Sequence, residues 1–171
     1  MKKHIERRWI MASMLCLGLL SLTVTVAMAT TASGSLSVSA TVGAACSVGT
    51  STLAFGSYTG SQVTGSGTVS VTCASGLPYT VDIGNGANAV ASQRRMSYTP
   101  MGGMPSYLTY DLASDAGFMS PWGTGVTGGA VVNGNGSGSA QNITVYGRIP
   151  VQVSPPPAGS YTDNPSITVT F

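Results

Sequence analysis

Gly34-Ser35-Leu36-Ser37-Val38-Ser39-Ala40-Thr41-Val42-Gly43 alternates without a break. In an extended chain Leu36, Val38, Ala40 and Val42 share one face, and Ser35, Ser37, Ser39 and Thr41 share the other. The stretch holds no charge and no proline, and a glycine stands at each end. Two readings are open. In the ordinary one it is the first strand of a β-sandwich, and periodicity alone favours this. In the other it is a strand made for a second molecule, completing a neighbour's sheet by strand addition. The rest of the chain has to decide between them.

Upstream, Lys2, Lys3, Arg7 and Arg8 form a basic start, an apolar run extends from Ile10 to Val26, and Ala27-Met28-Ala29 follows. That is the pattern of a secretory signal peptide over residues 1–29, removed on export. The run is interrupted by Ser13, Gly18, Ser21, Thr23 and Thr25. It falls short of the roughly 20 apolar residues of a membrane span. Processing would leave the alternating stretch close to the mature N-terminus, in a segment covering residues 30–45. The remainder, residues 46–171, suits one domain with its own core.

Processing also changes the chemistry available. His4, Glu6, Lys2 and Lys3 are the only residues of their kinds, and all lie in the signal. The exported chain keeps Arg94, Arg95 and Arg148 against Asp82, Asp111, Asp115 and Asp163. Three scattered arginines make no footprint for nucleic acid. Without histidine or lysine there is no Ser-His-Asp or Cys-His site, no Schiff-base lysine and no histidine-ligated metal. No catalytic, cofactor-binding or metal site is assigned, and the chain is read as a non-enzyme. Asp111 and Asp115 are expected to be turn-forming side chains that bond local amides.

Two cysteines survive processing, Cys46 and Cys73. An even count in an exported chain reads as one disulfide. Short β-branched and aromatic runs alternate with Gly, Asn, Ser and Pro throughout, and no window carries helical periodicity between caps. Strands are expected at Cys46 to Phe55, Gly67 to Cys73, Pro78 to Ile83, Ser92 to Tyr98, Ser106 to Leu112, Ile143 to Ile149 and Ser166 to Phe171. A short edge strand is expected at Ala130-Val131-Val132. At the end of the chain Ile167, Val169 and Phe171 alternate inward, and no strand follows them to cover their edge. A spare strand at one end and an open edge at the other allow head-to-tail association that does not close on itself.

Taken together, these motifs resemble a known family. They comprise Gly34 to Cys46, Leu53-Ala54-Phe55-Gly56, Gly67 to Cys73 and Pro78-Tyr79-Thr80-Val81. They continue with Leu108 to Leu112, Trp122-Gly123, Val145 to Pro150, Gly159 to Asp163 and Ile167 to Phe171. Their order is similar to that of the spore coat protein U domain family, which includes shaft subunits of archaic, Csu-type chaperone–usher pili. The resemblance implies an all-β, incomplete immunoglobulin-like sandwich, completed by donor-strand complementation. Leu36, Val38, Ala40 and Val42 would be the donor plugs. Ile167, Val169 and Phe171 would line the acceptor groove, and Cys46 and Cys73 would form the family disulfide. It also implies the partners: a periplasmic chaperone, an outer-membrane usher, and neighbouring copies of this chain or related pilins. The destination would be a cell-surface pilus that supports adhesion and biofilm formation, with this chain as a shaft or adaptor subunit.

Two alternatives stand beside that reading. One is a secreted coat or matrix protein with a sandwich complete in itself. The other is a sugar-binding surface module that presents Tyr58, Tyr107, Tyr161 and Trp122 as exposed platforms.

Overall fold

The computed structural model describes residues 31–50, 52–154 and 156–171. The expected signal peptide lies outside them. The chain divides into two units, residues 1–40 and residues 41–171.

In the described part of the first unit, residues 31–40, no strand forms, and every residue is exposed. Leu36 and Val38 are 87% and 82% exposed. The second unit opens in the same way, with Val42 exposed and no strand before residue 46. The ordinary reading of the opening stretch is therefore corrected: it is not the first strand of its own sandwich.

The second unit is all-β, with no helix among the described residues. Its strands are β1 (Cys46–Thr50), β2 (Val63–Cys73), β3 (Pro78–Ile83), β4 (Arg94–Tyr98), β5 (Ser106–Ala113), β6 (Val132–Asn135), β7 (Gln141–Ile149) and β8 (Ile167–Thr170). Five make one antiparallel sheet in the order β1-β2-β7-β5-β4, and three make a second in the order β6-β3-β8. Inward residues alternate along each strand, as a two-layer sandwich requires. Val69, Val71 and Cys73 of β2, Leu108, Tyr110 and Leu112 of β5, and Val145 and Ile149 of β7 face Tyr79, Val81 and Ile83 of β3. This is an immunoglobulin-like sandwich. β8, a strand four residues long, is an edge of the smaller sheet, paired on one side to β3 and on the other to nothing among the described residues.

Several elements differ from the sequence expectation. The first strand after Cys46 stops at Thr50 instead of reaching Phe55. From Leu53 to Phe55 the chain leaves the sheet and crosses its inner face, where Gly65 and Gly147 make room. A Cβ at Gly65 would lie 2.8 Å from the Ala54 carbonyl oxygen, and one at Gly147 would lie 2.8 Å from the Phe55 ring. Glycine inside a strand marks this kind of close approach. β6 forms at Val132–Asn135, shifted toward the C-terminus from Ala130–Val132. β2 is longer than expected, because its outer half, Val63 to Gly67, pairs fully with β7.

Cys46 and Cys73 are bonded, as expected from the cysteine count. They face each other in the β1–β2 register, with Cα atoms 4.1 Å apart. The bond holds the edge strand β1 to the sheet. Replacing both cysteines with serine is expected to cost about 3.5 kcal/mol of stability in the chain-entropy account. Urea midpoints of the oxidised protein and the double variant measure it. A shift below about 1 kcal/mol would show that β1 holds its place without the link.

Candidate strand-acceptor site

The free edge of β8 borders an open cavity of about 490 Å³, with an apolar floor and a rim that includes Thr50, Thr52, Thr68 and Asp163. Its floor is the inner face of the larger sheet: Val69 of β2, Val145 of β7, and Tyr110 and Leu112 of β5. Ile83 of β3 and Ile167 of β8 form one wall. Leu53 and Phe55 form the opposite one, and the Phe55 ring stands 6.2 Å from Tyr110, centroid to centroid. A second cavity of about 560 Å³ shares Leu53, Phe55, Met96 and Tyr161 with the first. It reaches on to Leu108, Ile149 and the Pro156–Pro157 segment. The two clefts adjoin at the four shared residues, and the one bordered by β8 forms a trough against the inner face of the larger sheet.

The sequence-predicted site residues fall in different places. Ile167 lines the cavity. Val169 is half-buried and packs against the core. Phe171 lies past the end of β8 and is 55% exposed. The donor-face residues Leu36, Val38, Ala40 and Val42 are all exposed. Sequence reasoning missed Leu53, Phe55, Met96 and Tyr110 as lining groups. The inward glycines Gly65, Gly67 and Gly147 were the available signal, because their phase leaves a shallow floor that something else must fill.

One end of the trough is polar. The Tyr110 hydroxyl donates to Asp163 Oδ2 at 2.7 Å, and the Ala87 amide donates to Asp163 Oδ1 at 3.2 Å. Burial and then the Asp163 contact push the Tyr110 hydroxyl well above its ordinary value. These bonds tie the chain segment before β8 to β5. Beside them Arg94 is fully buried, 1% exposed. Its Nε donates to the Gly84 carbonyl at 2.9 Å, and its Nη2 donates to the Ile83 and Trp122 carbonyls at 2.5 and 2.7 Å. Burial pulls the guanidinium below its usual value, while Tyr110 and the surrounding aspartates pull it back up. Arg94 occupies an inward phase of β4 with Met96 and Tyr98, so its burial was legible from alternation, though it reads as one more scattered arginine.

The expected surface platform fails at Trp122, which is fully buried and donates its indole N–H to the Val81 carbonyl at 2.9 Å. Tyr58 is also committed: its hydroxyl donates to the Pro150 carbonyl and accepts from the Gln152 amide. Of the two candidate turn aspartates, Asp115 accepts the Met119 and Ser120 amides as expected. Asp111 does not; it pairs with Arg148 at 2.8 Å.

The charged groups set a simple pH response. Amide hydrogen bonds, Met119 first, hold Asp115 below its ordinary value. Burial alone would raise Asp82, but bonds from the Thr124 hydroxyl and amide outweigh it and bring it down. A carboxyl lowered in the folded state stabilises above its unfolded pKa, and that stability is lost as pH falls through the folded one. Tyr110, raised in the folded state, works the other way and destabilises above about pH 10, where the unfolded tyrosine ionises. With no histidine after residue 4, the melting temperature is expected to be flat between about pH 5 and pH 9. It should fall on both sides. A sloping plateau between those limits would contradict this assignment.

A two-layer antiparallel sandwich in which the edge of β8, unpaired among the described residues, borders a trough with an apolar floor defines the class: an immunoglobulin-like domain with an open edge there. Within that class, the family model for the Spore Coat Protein U domain matches residues 32–170, and the chain belongs to that family. Protein U of Myxococcus xanthus is 32% identical over 161 residues, covering 84% of this chain and 87% of that protein. The fold is also that of a chain in the CsuC–CsuE chaperone–tip adhesion subunit pre-assembly complex, from the archaic chaperone–usher Csu pili of Acinetobacter baumannii. That match has a TM-score of 0.57 and 23% identity over 77% of this chain. This chain spans 40% of the length of that one.

Proposed function

We propose that this protein is a structural subunit of a surface pilus, exported to the periplasm and assembled by the chaperone–usher route. Residues 34–43 of one copy lie along the free edge of β8 in the next. Leu36, Val38, Ala40 and Val42 point into the trough, and Ser35, Ser37, Ser39 and Thr41 point to solvent. Before assembly, a periplasmic chaperone covers the same edge, and the outer-membrane usher exchanges it for the incoming strand. The observation that carries this reading is the pairing of two complements: a strand edge, unpartnered among the described residues, beside a trough with an apolar floor, and an alternating apolar stretch that makes no strand and is exposed. Family membership and the fold shared with a chain of a chaperone–subunit complex support it.

The energetics are adequate. Burying Leu36, Val38 and Val42 contributes about 1.5–3 kcal/mol each. Ladder hydrogen bonds along β8 add about 1 kcal/mol each. A strand that completes a core leaves slowly, so the fibre is kinetically stable. Adhesion and biofilm support follow from a surface fibre of this kind.

The test is a denaturing gel of refolded, oxidised mature protein, run with and without heating. A ladder that collapses on heating supports strand exchange. The family description favours one competing reading, a coat protein complete in itself. In that case a single folded monomer band is seen, and deletion of residues 30–43 leaves its stability unchanged.

A further inference from the structure

Next to the trough, and sharing Tyr110 and Leu112 with it, lies a smaller cleft of about 190 Å³. We infer that it is a binding site for a single neutral sugar ring, independent of how the subunit assembles.

Three loops converge on it. The turn from Val90 to Gln93, closed by two backbone hydrogen bonds, brings Ser92 and Gln93. The loop after β5 brings Phe118, and the loop after Trp122 brings Thr127. Asp111 of β5 and Arg148 of β7 complete the polar wall. Ala91 and Phe118 are the non-glycine residues with positive φ among the described residues, at 51° and 55°. One adjoins the cleft and the other lines it. Neither an alanine nor a phenylalanine adopts that conformation freely, and backbone strain concentrates where it positions a functional group.

The lining chemistry selects the ligand. Arg148 and Asp111 neutralise each other at 2.8 Å, with 31% and 34% of their side chains still exposed. The Ser92 and Thr127 hydroxyls meet at 2.8 Å. The Gln93 side-chain amide donates to the Tyr110 carbonyl at 3.1 Å. Arg94, which also lines the cleft, is taken up by the Gly84, Ile83 and Trp122 carbonyls, so the cleft offers donors and acceptors together. Sugar hydroxyls both donate and accept and match such a mixed wall. The Arg148 guanidinium covers one face of the Phe118 ring, 4.5 Å from its centroid, and sugar C–H groups would pack on the other. The volume lies below the roughly 300–1,000 Å³ of sites for drug-sized ligands, so one ring fits and an extended chain does not.

The test is NMR titration of the oxidised, exported protein with the methyl glycosides of glucose, galactose, mannose and N-acetylglucosamine. At least one is expected to shift the signals of Gln93, Phe118 and Arg148 and to saturate in the millimolar range. Phe118→Gly removes the ring and suits the local backbone, so the variant should fold and lose binding at least tenfold. Ala91→Gly relieves strain outside the lining and should keep binding. No shift with any of the four sugars overturns the inference. So does the same shift from glycerol at equal concentration, or undiminished binding by a folded Phe118→Gly protein.

Discussion

Leu36→Asp or Val38→Asp is expected to abolish the heat-sensitive ladder while leaving a folded, disulfide-bonded subunit. In the free chain both positions are almost fully exposed, so the substitution costs nothing there. In the fibre the same side chain would sit against Val69, Leu112 and Val145 in the apolar trough. Loss of the apolar side chain forfeits about 1.5–3 kcal/mol. Confining an unpaired carboxylate there adds a penalty of about 3–5 kcal/mol. At 1.4 kcal/mol per tenfold, even the smaller sum lowers affinity at each junction by roughly a thousandfold. Ser37→Asp is the control. It lies on the other face of the strand and should leave the ladder nearly intact. A normal ladder from Leu36→Asp and Val38→Asp would remove the donor role from this stretch. Equal loss from Ser37→Asp would mean that added charge, not facing, is what matters.

Arg94→Met is expected to give the largest loss in stability of the subunit itself. The side chain leaves β4 of the larger sheet and bonds the backbone at the end of β3 and at Trp122. It thus joins the two layers beside the polar end of the trough. Methionine has a comparable apolar stem but no donors, so the Ile83, Gly84 and Trp122 carbonyls lose their partner. An acceptor left unsatisfied in the interior costs about 1–3 kcal/mol. A net loss of about 3–5 kcal/mol is expected, in line with other broken buried networks. Against a domain stability of about 5–15 kcal/mol, that leaves a marginal protein. Arg95→Met is the internal comparison. Arg95 bonds the Asn88 carbonyl at 2.8 Å and lies 4.0 Å over the Tyr107 ring, and it should cost about 1 kcal/mol. Urea midpoints of the two variants decide the matter. A shift for Arg94→Met no larger than that for Arg95→Met would show that the buried guanidinium is not a tie between the sheets.

Much of this protein is written locally. Period-two alternation placed β3, β5, β7 and β8 within a residue or two, because each has one face in the core and one in solvent. The Cys46–Cys73 link followed from the count of two cysteines after residue 29. That every histidine, lysine and glutamate falls within residues 1–29 is a matter of composition, and it bounds the chemistry of residues 30–171 whatever the fold. The face of Leu36, Val38, Ala40 and Val42 is equally local, since side-chain direction in a strand depends on nothing else.

What alternation could not supply is which layer a strand joins and what lies opposite it. The chain from Leu53 to Phe55 reads as more strand, yet it leaves the sheet after Thr50. The reason is that Gly65 and Gly147, far apart in sequence, meet in the β2–β7 register and open a seat for it. Arg94 reads as one of three scattered arginines on an inward phase, and only the sandwich brings the three backbone carbonyls from two other segments that satisfy it in place. Trp122 reads as an exposed platform, and it is buried because the Val81 carbonyl takes its N–H. The opening stretch carries its pattern on its own, but that it makes no strand in its own domain depends on pairing. A strand needs an edge, and β8 offers one that residues 31–45 of the same chain leave unpaired.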